Sequence, residues 1–95
     1  MNATELVILI KERPALYIGS NSISCLKSFI DGWYFRNPNE NVEIEIFDNF
    51  NKWIQERYEM DNKRNWDRII LFYSSDESNA LTNFFKLFEE FLLEN

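Results

Sequence analysis

The residues of this chain best suited to chemistry are its carboxylates. Glu43 and Glu45 stand two apart, and Glu56 and Glu59 three apart. Such a pair can divide acid and base work when an apolar pocket raises the pKa of one member. Both pairs have charged or polar neighbours, so they read as solvated faces. The chain has no histidine, which removes the commonest general base, the Ser–His and Cys–His nucleophile systems and most zinc sites. Cys25 is the single cysteine, so there is no internal disulfide and no cysteine-based metal motif. It lies between Ser24 and Leu26 in a helical pattern and reads as a small core residue. Asp61, Asn62 and Asp67 do not follow the spacing of a calcium loop, and no glycine-rich phosphate loop occurs. The expectation is a protein that is not an enzyme, with no catalytic residue, no cofactor and no metal.

What remains is charge. Sixteen acidic residues against ten basic ones leave a net charge of −6 and a pI of about 4.6. That field repels nucleic acid and anionic membrane and attracts basic partners. Lys63, Arg64 and Arg68 are the densest cationic group and read as the solvated start of a helix. The densest acidic stretch holds Glu40, Glu43, Glu45 and Asp48. These four, with Trp53 and Tyr34 as aromatic anchors, form the candidate partner-binding set, because an interface needs a buried aromatic centre as well as steering charge. The competing readings are solubility for the carboxylates and core packing for the two rings.

The elements that carry these residues can be taken from the proline corner outward. Pro14 fixes its own φ and pushes Arg13 out of the α region, so a first helix ends near Glu12. Thr4 is positioned to cap that helix, although the run Leu6–Ile10 is β-rich in part and also admits a strand. Pro14 can open a short turn of its own that Gly19 closes in the left-handed region. Leu16, Tyr17 and Ile18 are expected to point inward, with Arg13 covering a helix end or pairing with a carboxylate. Ser20 or Ser22 caps the next helix, in which Ile23, Leu26, Phe29, Ile30, Trp33 and Tyr34 recur at steps of three and four. Gly32 interrupts it, which points to close packing against another helix. Asn37-Pro38-Asn39 ends it in a loop.

Val42, Ile44 and Ile46 alternate like a strand, whereas Phe47, Phe50, Trp53, Ile54 and Tyr58 follow the helical period. A helix starting at Asn41 or Asp48 and running through Glu59 accommodates most of this. After the polar run Asp61–Asn65, the segment from Trp66 to Tyr73 fits a buried strand or a buried helix. Ser74-Ser75-Asp76-Glu77 breaks it and caps the last element. There Leu81, Phe84, Phe85, Leu87, Phe88, Phe91 and Leu92 form a broad apolar face, and Glu89, Glu90 and Glu94 oppose the helix dipole and fray the last turn. The predicted fold is all-α: one domain over residues 1–95, with four or five helices around the Phe-rich C-terminal one and the Ile23–Tyr34 one. The alternative is α+β, with 42–46 paired to 69–73. A run such as Leu6–Ile10 is too short to span a membrane. With no basic leader before it, a reducing cytoplasm is the expected location.

The run Arg13-Pro14-x-x-Tyr17-Ile18-Gly19 resembles a stretch near the start of the ATPase domain of gyrase-type topoisomerases, a local match without that domain's nucleotide loops. A longer set covers most of the chain. It comprises Arg13-Pro14, Tyr17-Ile18-Gly19, Ser22-Ile23, Leu26, Phe29, Asp31-Gly32, Trp66, Ile69-Ile70, Ser74, Asp76-Glu77, Ala80, Phe84-Phe85 and Glu90-Phe91. In this order the residues resemble small acidic bacterial immunity proteins of contact-dependent growth inhibition and related polymorphic toxin systems. The resemblance tips the Trp66–Tyr73 segment to a helix. It implies binding and neutralisation of one cognate toxin domain in the cytoplasm. A nuclease toxin suits the charge, because its phosphate-binding groove is positive and a carboxylate cluster can occupy it. The alternative function is an acidic regulatory adaptor, a nucleic-acid mimic that binds endogenous basic proteins.

Overall fold

The computed structural model describes residues 2–36, 41–60 and 63–94, and the side chains at 34–36 and 41–45 fall outside the described set. Among the described residues six helices follow one another: α1 (Ala3–Glu12), α2 (Pro14–Ile18), α3 (Ile23–Arg36), α4 (Asn41–Arg57), α5 (Trp66–Phe72) and α6 (Glu77–Glu94). No strand occurs among the described residues. The protein is all-α, with a radius of gyration of 12.7 Å. The helix beyond the expected four or five is the proline corner, which closes as a turn of its own.

Local chemistry explains the boundaries. α1 stops at Glu12 ahead of the Arg13-Pro14 pair, and Pro14 opens α2 with no N–H to satisfy. Gly19 ends α2 at φ +80°, its N–H donating to the Ala15 carbonyl at 3.2 Å. The cap of α1 is Asn2, not Thr4: the Asn2 carboxamide oxygen accepts from the Glu5 N–H at 2.8 Å. Its amide nitrogen donates back to the Glu5 carboxylate at 3.0 Å, a reciprocal cap two residues earlier than expected. Ser22 caps α3 by accepting from the Cys25 N–H at 3.2 Å. Asp76 caps α6 by accepting from the Asn79 N–H at 2.8 Å. α4 gives out at Arg57, and the Met60 N–H reaches back to the Gln55 carbonyl at 2.9 Å. This closure puts Glu59 at φ +53°, a left-handed position that usually takes glycine.

Both segments open to a strand reading are helical, 42–46 within α4 and 69–73 within α5 and its C-cap. Burial at helical spacing decides it, with Phe47, Phe50 and Ile54 of α4 and Trp66, Ile69 and Ile70 of α5 in the core. Phe50 is the centre. It is fully buried, with the rings of Trp53, Trp66, Phe84, Phe88 and Phe91 between 5.2 and 6.0 Å from its own. α3 and α6 are neighbours, and they supply Ile23, Leu26 and Ile30 from one side and Leu81, Phe84, Leu87, Phe88 and Phe91 from the other.

Several expectations about individual residues differ from the structure. Leu16 points outward at 68% exposure, because a five-residue helix cannot bury all of its sides; Tyr17 and Ile18 are half-buried against the core. Gly32 has no neighbour within 4 Å of where a Cβ would stand, so close packing does not account for it. Phe72 and Tyr73 are exposed by 66% and 51%, since the seven-residue α5 turns only one face to the core. Cys25 is half-buried rather than core. Among the carboxylates expected to fray α6, Glu90 pairs with Arg57 at 2.9 Å and Glu94 accepts from the Trp53 indole N–H. Arg13 is exposed and has no ion pair among the described residues. The Asn37–Asn39 loop lies outside the described residues.

Candidate functional site

Two places gather chemistry-bearing side chains. The first joins the start of α3 to the start of α6. Glu77, in the first turn of α6, accepts from the Ser22 hydroxyl at 2.8 Å, the Ser24 hydroxyl at 2.8 Å and the Ser24 N–H at 3.0 Å. Ser24 lies in the first turn of α3, where N–H groups have no partner within the helix. One carboxylate therefore caps a helix from 53 residues away in sequence. The Ser24 N–H, then the two hydroxyls, with Arg68 adding a favourable charge, hold the Glu77 carboxyl below its ordinary range, against the opposing effect of burial. A carboxylate so held is a poor general base near neutrality.

Cys25 borders this junction. Its thiol is 3.3 Å from the Ser20 hydroxyl. The Ser20 and Ser22 hydroxyls lower the thiol pKa, while burial and the Glu77 charge push the other way. A second thiol or an imidazole, which would make this a nucleophile system, is absent from the sequence. The junction is a structural clasp by its geometry. The neighbouring α5–α6 turn has the same character: Asn83 donates to the Ser74 hydroxyl at 2.9 Å, and the Ser75 N–H donates to Asn79 at 2.9 Å.

The second place is a cleft between α3, α4 and the start of α5, lined by Lys27, Asp31, Asp48, Asn51, Asn65 and Trp66 among others. Lys27 grips both oxygens of Asp31 at 2.7 and 2.9 Å. Asn51 accepts from the Trp66 N–H at 2.7 Å and so caps α5 in place of Asn65, whose own side chain makes no cap bond. Asp48 is exposed on the rim.

Of the residues expected to bind a partner, Asp48 is thus at an open cleft. Trp53 is half-buried and engaged within the fold. Its ring lies 5.8 Å from Phe91, the Arg57 guanidinium sits 5.1 Å above it, and its N–H is held by Glu94. Glu40 lies outside the described residues, as do the side chains of Tyr34, Glu43 and Glu45. The α4 backbone carries positions 43 and 45 in a helix, not in a strand. Sequence reasoning missed the exposed rings. Tyr73 stacks on Tyr58 at 4.7 Å and meets Phe72 edge-on at 5.1 Å. The available signal was the shortness of the apolar run before Ser74-Ser75.

Among the described residues, no group of three or more histidine, cysteine or acidic side chains could hold a metal ion, and no helix is long and apolar enough to cross a membrane. No protein-family model, curated protein or solved structure matches this chain.

Proposed function

We propose that this chain is an immunity protein that binds one basic toxin domain, a nuclease, and neutralises it in the cytoplasm without catalysis. The observation that carries this reading is the charge: −6 on a domain of 95 residues. A compact anionic body complements the cationic groove a nuclease needs for phosphates, raises the encounter rate and excludes the substrate. The resemblance to immunity proteins supports it. Two residues of the set that carries it, Ser22 and Glu77, meet in a hydrogen bond of 2.8 Å. Asp48, exposed at the cleft rim, is a candidate contact.

The test is protection. Cells expressing a toxin encoded beside this gene should survive when the chain is co-expressed and die when it is not. Capture from the native source adds a second arm, with washes at about 0.15 M and then about 1 M salt, a range that screens simple surface attraction. One basic protein retained through the second wash is the expected result. Many basic proteins lost together would replace this reading with the acidic adaptor.

A further inference from the structure

A groove runs between α1 and α6, lined by Thr4, Val7, Ile8 and Lys11 on one wall and Phe85, Phe88, Glu89 and Leu92 on the other. On each wall the residues recur at steps of three and four, so each is one helix stripe. The walls are apolar, and their edges are left open: Ile8 is 52% exposed, and Leu93, beside Leu92, is 84% exposed. The last turn that carries Leu93 is held in place by the bond from the Trp53 indole to Glu94. Lys11 stands on the α1 wall and Glu89 on the α6 wall, both exposed, with no ion pair for either among the described residues.

We propose that this groove is the interface of a two-fold dimer of this chain. A two-fold axis running along the groove places the α1 wall of one copy over the α6 wall of the other. Ile8 then meets Leu92 and Leu93 of the second copy, and Lys11 faces its Glu89; the symmetry repeats both contacts. The surface is self-complementary in charge, with Lys11 on one wall and Glu89 on the other, as an isologous interface requires. A helix from an unrelated protein would need its own matching charge pair. The net charge of −6 on each copy opposes association. That long-range repulsion is damped over about 8 Å at physiological salt, so the charges in the contact dominate.

Sedimentation equilibrium on the full chain, at about 0.15 M salt, should show a mass rising with concentration from 11.5 kDa towards twice that value. Lys11→Glu and Glu89→Lys should each weaken the dimer by about tenfold or more, because each places like charges in contact twice over. An equimolar mixture of the two variants should recover the dimer, since the mixed pair restores Glu–Lys at both contacts. Ile8→Asp should abolish association without a charge swap. All of these positions are exposed or half-exposed, and circular dichroism should report unchanged helix. A wild-type chain that stays monomeric as its concentration is raised overturns the proposal. So do single variants that dimerise as well as the wild type, or a mixture that stays monomeric. The measurement needs no toxin, so its failure leaves the immunity proposal standing, and failed protection leaves the dimer standing.

Discussion

Glu77 shows how much one side chain can organise. It accepts from three donors at the start of α3, two on one carboxylate oxygen and one on the other, and an amide in its place keeps only one of those oxygens as an acceptor and loses the charge. Glu77→Gln should therefore cost about 1–3 kcal/mol of unfolding free energy near neutrality, the range for hydrogen bonds to a charged group. The pH dependence has a defined sign. The folded-state pKa is depressed, so the stabilisation is complete above the unfolded-state value and is lost as pH falls through the lower folded-state value. Urea titrations of wild type and Glu77→Gln should differ most near neutrality and converge only once the pH falls below the lowered folded-state pKa of Glu77. A gap that persists unchanged in acid would show that the charge of Glu77 is not what ties the helices together. Gly32 makes the opposite case. It is helical and exposed, with open space where a Cβ would go. Gly32→Ala should stabilise by about 0.5–1 kcal/mol through helix propensity, read as a higher urea midpoint.

Among the elements, α4 and α6 carry the core between them. Phe50 touches rings from α5 and α6 as well as its own helix. Phe50→Ala should cost about 3–5 kcal/mol, a large share of the roughly 5–10 kcal/mol available to a domain of this size. Thermal unfolding should show a large drop in midpoint. A small drop would mean that the neighbouring rings collapse into the space. The α4–α6 surface adds the Arg57–Glu90 pair, whose two side chains are 42% and 50% exposed and which therefore contributes at most about 1 kcal/mol. Helix periodicity predicted α3, α4 and α6 because each has an apolar stripe long enough to count, whereas α1 was read from its cap and its terminating proline. α5 was legible only as an apolar run: seven residues hold fewer than two full turns.

At the scale of the whole molecule, the function proposed rests on charge, and charge can be tested apart from fold. Reversing Glu43, Glu45 and Asp48 together to lysine should slow association with the captured toxin by about tenfold at low salt and flatten its salt dependence. Stopped-flow association rates at two salt concentrations measure both effects. Unchanged kinetics would move the contact surface away from α4, and the exposed rings of Phe72 and Tyr73 would be the next surface to alter.

The sequence by itself determined the break at Arg13-Pro14 and the left-handed close at Gly19, and it narrowed the α3 cap to Ser20 or Ser22 and the α6 cap to the run Ser74–Glu77. Each follows from backbone preferences or spacing within a few residues. The packing of 42–46 and 69–73 as helix rather than strand came from the tertiary structure. Tertiary structure alone decided which apolar residues had a neighbour to bury against. Periodicity assigns a residue to a face, but Leu16, Phe72 and Tyr73 remain exposed because their short helices offer more apolar sides than the core can cover. It also decided the partners of the long-range polar groups: Glu77 with Ser22 and Ser24, Asn51 with the Trp66 backbone, and Trp53 with Glu94. These contacts bridge 15 to 55 positions, and no local rule pairs groups that only the packing of helices brings within reach of one hydrogen bond.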